Sequence, residues 1–311
     1  MKIKGLFAGT KGWKKLLLLI WFVCISFILI YAISVLSAYI IWGSCVFDTA
    51  FLTDAGNPDA VTVMKFMQAF NSLGMFLIPA LLLGWITTGD TGSYFGTNTR
   101  PGAVKYLLVP VLALSMLPIS NMLAELNQMV VFPGFLSDLE TFLRNSEKAT
   151  EEITHSFIYA PDLPILFLNI FIIAVIPAIA EEFFFRGALQ KTMIEWTKSI
   201  HVAIFITAFI FSLIHFQFFT FIPRLFLGMV FGYLMYYSGN IWIPVLAHFI
   251  NNSAAVIVYY LITKNILSPD SEHIGNSDTI IWLAAGILLS VFAFYIFCRK
   301  SVRAKDIKGR Y

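Results

Sequence analysis

The chain has 311 residues, of which 59% are hydrophobic and 13% are charged, and its mean hydropathy is +0.80. A soluble domain usually has about 25% charged residues, so this chain has too few to cover a soluble surface. The net charge of +3 is too small to indicate a nucleic-acid partner. The three cysteines are scattered and form no disulfide or zinc motif. Composition therefore predicts an integral membrane protein.

Eight apolar segments are predicted to cross the bilayer, given that a transmembrane helix needs roughly 20 mostly apolar residues. The apolar run of the first segment is too long for a signal peptide, so we interpret it as an anchor. The predicted fold class is an all-α, polytopic transmembrane helix bundle with about eight spans. These spans are expected at 14–42, 64–87, 103–124, 163–185, 198–217, 222–238, 240–262 and 279–298.

The distribution of basic residues predicts the orientation of the spans, because lysine and arginine concentrate on the cytoplasmic side. Both chain ends are basic and are expected in the cytoplasm, which requires an even number of spans. The loops 43–63 and 125–162 are expected outside. Arg224, near the outer end of the sixth span, fits this scheme poorly. The terminal basic residues are Lys2, Lys4, Lys11, Lys14 and Lys15, then Arg299, Lys300, Arg303, Lys305, Lys308 and Arg310.

The protein is predicted to lie in the cell (inner, cytoplasmic) membrane. Its chain is predicted to have three regions. Residues 1–160 form an N-terminal transmembrane region with the outer loop 125–162, residues 161–262 carry the polar motifs described below, and residues 263–311 form the final span and a basic tail. Within the outer loop, Ser137 and Glu140 match an S-x-x-E capping box and predict a small surface helix. A plain polar connector is the alternative.

Ionisable side chains inside a membrane are costly and indicate function. They concentrate in the second half of the chain. Glu182 and Arg186 lie four residues apart, so they are predicted to share a helix face and form an ion pair. Glu181 lies about 100° around that helix and has no partner within it. The whole set is Glu181, Glu182, Arg186, His215, His248 and Asn252.

Two kinds of chemistry could use this set. In one, Glu181 and His215 polarise a water molecule that attacks a peptide carbonyl, while His248 and Asn252 donate hydrogen bonds to the oxyanion. In the other, Glu181, His215 and His248 bind Zn²⁺, which activates the water. No H-E-x-x-H helix is present, so a zincin site is absent. The residue spacing leaves both kinds of chemistry open.

Three motifs in order resemble those of a known family: E-E-x-x-x-R at Glu181–Arg186, F-x-x-x-H at Phe211–His215 and H-x-x-x-N at His248–Asn252. The region 160–260 resembles the CAAX prenyl protease and bacteriocin-processing family, also called the CAAX protease self-immunity or abortive-infection family. The resemblance implies an α-helical membrane endopeptidase. It also implies that the residue at 181 activates water with the histidine at 215, and that the residues at 248 and 252 stabilise the oxyanion.

Members of this family have been described both as metalloproteases and as a metal-free glutamate type. We favour the metal-free type with no cofactor and keep zinc as the alternative. The expected partners are a membrane-associated peptide or protein substrate and the lipid bilayer. Two other functions stay open, namely a non-catalytic peptide-binding immunity factor and a membrane transporter accessory protein, because proton paths also use Glu and His.

A plain eight-span topology creates one geometric difficulty for the protease hypothesis. Glu181 would lie near the inner face, whereas His215 would lie toward the outer end of the fifth span. The two side chains must approach each other to act on one water molecule. We therefore expect either that the fifth span is shifted or continues past His215, or that the bundle encloses a water-filled cavity.

Overall fold

The structure is a computed structural model that describes residues 5–276 and 279–299. Across these two ranges the regular secondary structure is helical and contains no strand, which confirms the all-α prediction. Lys2, Lys4 and the basic residues from Lys300 onward, on which part of the predicted orientation depends, lie outside the described residues.

Ten helices carry the architecture. Six of them are long and apolar enough to cross a membrane: α1, with the helical turn that follows it, α2, α4, α6, α9 and α10. The helix α7 is apolar but has only 14 residues, and α8 has 18. The chain is thus a multi-pass membrane protein, and the count of eight spans and the orientation of its ends stay predictions. The bounds are α1 Gly12–Trp42, α2 Pro58–Thr88, α3 Thr91–Phe95, α4 Ala103–Gln128, α5 Ser137–Ile158, α6 Leu163–Thr197, α7 Ile200–Leu213, α8 Phe221–Ser238, α9 Trp242–Thr263 and α10 Ile280–Arg299.

Short polar side chains begin the helices that carry the motifs. The carboxylate of Asp162 accepts a hydrogen bond from the backbone N–H of Ile165 at 2.9 Å, at the start of α6. The side chain of Asn240 accepts one from the N–H of Trp242 at 2.8 Å, at the start of α9. Each cap satisfies a backbone donor that has no partner within the helix. Gly239 ends α8 with a φ of 64°, a conformation that glycine adopts without steric cost.

Two side-chain contacts mark the two ends of the bundle. At one end, Lys15 of α1 forms a 2.7 Å ion pair with Glu195 near the end of α6. At the opposite end, the side chain of Asn127 accepts a 2.8 Å hydrogen bond from the N–H of Ile222 in α8. Each long helix begins at one end of the bundle and finishes at the other. The two contacts are therefore consistent with successive helices that cross the bundle in opposite directions.

The helix α5 lies in the loop 125–162 and has no buried residue along its 22 positions. The predicted helix is confirmed, but its predicted capping box is wrong. Leu136 is the N-cap residue, and Glu140 accepts hydrogen bonds from the N–H of Phe132 and from Arg144 Nε, both at 2.8 Å, instead of from Ser137. The hydrogen bond from the Phe132 N–H and, to a smaller extent, the one from Arg144 hold the pKa of the Glu140 carboxyl below its ordinary value.

Two glycines of α8 let it approach α7 closely. A Cβ atom added at Gly228 would lie 3.0 Å from the Cβ atom of Ala208, and one added at Gly232 would lie 2.8 Å from the Cγ2 atom of Ile204. Small residues four positions apart form a flat helix face, which allows two helices to pack closely in a membrane. This contact fixes α7, which precedes His215, against α8.

We expect Gly232→Leu to lower the free energy of unfolding by about 1–3 kcal/mol, because the larger side chain must displace Ile204 or separate the two helices. Thermal unfolding in detergent measures the change. Gly134→Leu is the matched control, since no atom lies within 4 Å of an added Cβ there. Equal unfolding temperatures for the two variants would show that the close approach of α7 and α8 does not stabilise the bundle.

Candidate active site

The three motif segments meet at one small cavity. Glu181 comes from α6, His215 from the turn just after α7, and His248 and Asn252 from α9. The cavity has a volume of about 160 Å³. Its lining residues are Glu181, Phe211, His215, Arg224, Leu227, Phe231, His248, Asn251 and Asn252. Side chains separated by up to 71 positions in the sequence are thus brought to one point in the bundle.

The lengths of α6 and α7 remove the difficulty that the sequence posed. The fourth span was predicted to end near residue 185, but α6 continues to Thr197 and has 35 residues, or about 52 Å at 1.5 Å per residue. Glu181 therefore lies near the middle of α6 and not near one face. The helix α7 is only about 21 Å long and ends before it could cross a ~30 Å hydrocarbon core. Its end brings His215 to the depth of Glu181.

Two π-helical turns interrupt the regular hydrogen bonding of α6 on either side of the Glu pair. They run over Ile170–Val175 and Phe183–Leu189. Such turns shift the register of a helix and often occur at functional sites. Asn252 of α9 uses the first of them, since its side-chain Nδ2 donates to the carbonyl oxygen of Ile173 at 3.2 Å. This bond orients Asn252 beside α6.

Glu182 and Arg186 form the predicted ion pair. Arg186 Nη1 and Glu182 Oε1 lie 2.8 Å apart, and both side chains are fully buried. The same carboxylate oxygen accepts a bond from His248 Nδ1 at 2.9 Å, and Arg186 Nη2 donates to the carbonyl oxygen of Gly228 at 3.2 Å. The pair thereby links α6 to α8 and α9. A buried charge needs such partners, because taking it out of water costs several kcal/mol.

Aromatic rings enclose this pair. The guanidinium carbon of Arg186 lies 4.8 Å from the ring centroid of Phe211 and 5.4 Å from that of Phe231. Phe231 also stacks on the imidazole of His248, with the ring centroids 5.4 Å apart. The rings favour the cation through their negative faces and restrict the histidine to one orientation.

The hydrogen bonds of the two histidines fix which ring nitrogen carries a proton. His215 Nδ1 lies 2.7 Å from the carbonyl oxygen of Phe211, and His248 Nδ1 lies 2.9 Å from the Glu182 carboxylate. Carbonyl and carboxylate oxygens only accept, so each Nδ1 carries a hydrogen. Each Nε2 is then left for the cavity. A neutral histidine accepts a proton there, and a protonated one donates a hydrogen bond.

Glu181 differs from its neighbour Glu182. Its side chain is half-buried at the cavity, and across the described part of the chain its carboxylate accepts no hydrogen bond. Glu182 is fully buried and held by Arg186 and His248. Adjacent positions on a helix point about 100° apart, so one carboxylate faces the protein interior and the other faces the cavity.

Arg224 also lines the cavity, although the motifs did not include it. Its only signal in the sequence was its poor fit to the positive-inside pattern. Arg224 Nη1 donates to the hydroxyl of Thr220 at 2.7 Å, and Nη2 donates to the side-chain oxygen of Gln217. Asn251 is a second lining residue that the motifs missed, and it donates to Asn252 Oδ1 at 3.3 Å.

The cavity does not present a set of metal ligands. Glu181, His215 and His248, the ligands expected for zinc, all line it. In the part of the chain that the structure describes, however, no three His, Cys, Asp or Glu side chains are grouped closely enough to hold a metal ion. The chemistry proposed below uses the side chains alone.

Comparison with known proteins locates a family in this part of the chain. The model of the Rce1-like family, type II CAAX prenyl endopeptidases, matches residues 163–254. The match runs from the first residue of α6 into α9 and includes every motif residue. No curated protein and no solved structure matches the chain. The motif resemblance is thereby confirmed, since residues 163–254 match the model of the Rce1-like family of type II CAAX prenyl endopeptidases.

Proposed function

We propose that this protein is an intramembrane endopeptidase that hydrolyses a peptide bond of a membrane-associated protein or peptide. One observation carries the proposal: a carboxylate that accepts no hydrogen bond from the described residues, two oriented histidines and an amide side chain line the same cavity within the bundle. The match of residues 163–254 to the model of a protease family supports the same reaction class.

Glu181 and His215 activate the water in this proposal. The Glu181 carboxylate takes one proton from the water as its oxygen attacks the carbonyl carbon of the scissile bond. His215 Nε2 accepts a hydrogen bond from the same water and orients it. When the C–N bond breaks, the proton on Glu181 passes to the leaving amine. The products are a carboxylic acid and an amine, which become a carboxylate and an ammonium group when the acid passes its proton to the amine, and Glu181 is ionised again.

His248 and Asn252 stabilise the negative charge on the carbonyl oxygen. The side-chain Nδ2 of Asn252 carries two hydrogens and uses one of them for the carbonyl of Ile173, so the other can be donated to the oxyanion. His248 Nδ1–H is already donated to Glu182, so His248 donates from Nε2 only when it is protonated. The hydrogen bond to Glu182 orients the imidazole of His248 at the cavity.

We expect Glu181→Gln, His215→Ala and His248→Ala each to lower kcat for peptide cleavage by about 10²–10⁴-fold, because each removes a proton acceptor or an oxyanion donor. Cleavage of a quenched fluorescent peptide library in detergent measures the loss. Glu152→Gln, on the exposed surface of α5, is the matched control for the loss of a carboxylate.

A Glu181→Gln variant that still cleaves peptides would remove Glu181 from the mechanism. If a Glu181→Gln variant cleaved no peptide but still protected cells as an immunity factor would, the site would bind peptides without hydrolysing them. Proton-coupled flux in proteoliposomes without any proteolysis would favour the transporter hypothesis instead.

The Glu182–Arg186 pair is proposed to position His248. Glu182→Gln leaves Arg186 buried without a counter-charge, so we expect it to cost about 3–5 kcal/mol of stability. The double variant Glu182→Gln/Arg186→Met removes both charges and should recover most of that stability. Its cleavage rate should stay at least about 10-fold low, because an amide holds the Nδ1 hydrogen of His248 less strongly than the carboxylate does and orients the ring less well.

Thermal unfolding and cleavage measured on the same preparations separate the two effects of this pair. A double variant as active as the wild type would show that the pair holds the fold and does not position His248. If the single variant unfolded at the wild-type temperature, the buried pair would contribute no stability.

We propose a metal-free reaction and expect no zinc in stoichiometric amount in the purified protein. Cleavage should be unchanged after treatment with a strong chelator, because water activation depends on Glu181 and His215. Metal analysis and an activity assay on one chelated sample measure both points. Stoichiometric zinc, together with activity lost on chelation and restored by Zn²⁺, would make Glu181, His215 and His248 metal ligands.

A further inference from the structure

Arg224 is a half-buried cation that lines the cavity and has no acidic partner in contact among the described residues. Across residues 5–276 and 279–299, no carboxylate oxygen lies within 4.0 Å of its guanidinium nitrogens. The contrast with Arg186 is direct, since Arg186 has Glu182 at 2.8 Å. Arginine is normally buried only with an ion-pair partner, because the charge is costly away from water.

The partners that Arg224 does have are neutral and leave most of its donors free. Its two bonds go to the hydroxyl of Thr220 and to the side-chain amide oxygen of Gln217. A guanidinium group carries five N–H donors, so three remain after these two bonds. Thr220 and Gln217 orient the planar group, and they do not neutralise it. The guanidinium group of Arg224 can therefore bind an anion in the cavity that it lines.

The two nearest acidic groups do not satisfy Arg224. Glu147 of α5 accepts bonds from the N–H of Phe219 at 2.9 Å and from the hydroxyl of Thr220 at 2.8 Å, so both of its oxygens are used on the turn before α8. Glu181 lines the same cavity but is not in ion-pair contact with Arg224, and in the proposed reaction its charge is neutralised when it accepts a proton.

The position of Arg224 in its helix adds to the cost. Phe221 is the first residue of α8, so Arg224 lies in the first turn. The N-terminus of a helix carries a partial positive charge and disfavours a second one. An anion bound beside it would be favoured both by Arg224 and by the helix.

We infer that Arg224 is the recognition residue for a carboxylate of the substrate peptide, bound in the same cavity as the scissile bond. This inference rests on the proposed peptidase function. A carboxylate matches the planar, two-pronged donor pattern of a guanidinium group, and such two-pronged charged pairs are among the stronger hydrogen-bonded contacts. The carboxylate has two possible sources, the C-terminus of the peptide or an acidic side chain.

The size of the cavity limits how far the carboxylate lies from the bond that is cut. Arg224 and the proposed catalytic side chains line one cavity of about 160 Å³, and one extended residue spans about 3.3–3.6 Å, so the carboxylate belongs within a few residues of the scissile bond. Arg224 thus selects peptides cleaved near their C-terminus or beside an acidic residue.

Matched peptide pairs test the inference in the full-length protein in detergent. One pair differs only in a C-terminal carboxylate or carboxamide, and a second pair carries Glu or Gln next to the scissile bond. The wild type should cleave the acidic member of one pair with a kcat/KM about 10–100-fold higher, mainly through a lower KM, as expected for one charged hydrogen-bonded contact. The pair that shows this preference identifies the source of the carboxylate.

Arg224→Gln should abolish the preference by weakening only the acidic peptide, and Arg224→Lys should restore little of it, since an ammonium group lacks the fork geometry. Arg100→Gln is the matched control. Its side chain is exposed and lies outside the cavity lining, so the preference should persist. If Arg224→Gln lowered kcat/KM equally for both members of each pair, Arg224 would support the fold or the charge of Glu181, and the inference would be overturned. A wild type that cleaves both members of each pair equally well would also overturn it.

Peptide binding separates this inference from the proposed function. Fluorescein-labelled versions of the same peptides are titrated against Glu181→Gln, which cannot turn them over, with and without Arg224→Gln. If the acidic peptides bind more tightly only when Arg224 is present, the inference holds even if the wild type cleaves no peptide. Cleavage by the wild type with no such difference in binding supports the peptidase and overturns the role of Arg224.

Discussion

The buried contact between Glu182, Arg186 and His248 determines how the core of this protein is assembled. A carboxylate and a guanidinium group in a membrane interior are stable only when their charges and hydrogen-bonding groups find partners. Here these partners come from three helices, since α6 carries the pair, α9 carries His248, and α8 offers the carbonyl of Gly228. The helices cannot separate without exposing a charge to apolar surroundings.

This requirement explains why two adjacent glutamates have different environments. Glu182 faces inward, where its Oε1 atom is held by Arg186 and His248, whereas Glu181 faces the cavity and accepts no hydrogen bond from the described residues. The π-helical turn that begins at Phe183 follows directly and lets the helix carry Arg186 toward α8. A carboxylate held by the fold and a carboxylate that faces the cavity are thus placed side by side by the geometry of one helix.

Much of this arrangement was predictable from the sequence, and the limits have physical causes. Apolar length and spacing predicted the helical class, the Glu182–Arg186 pair and the four side chains that line the cavity. The predicted end of the fourth span was wrong. A span was assumed to end at its first charged residues, whereas the charge of Arg186 is compensated by contacts with α8 that no local sequence pattern reveals. Charge bias singled out Arg224 as an exception, but only the fold puts it beside His215.

The same network extends from the cavity to α5. Glu147 holds the turn that contains Thr220, and Thr220 in turn holds Arg224. The helix α5 has no buried residue, so polar and ring contacts of this kind must account for much of its attachment. Arg144 adds to them by lying 3.9 Å from the ring centroid of Phe219. A displacement of α5 would therefore move the turn that orients Arg224. The position of this helix and the charge presented to the cavity are not independent.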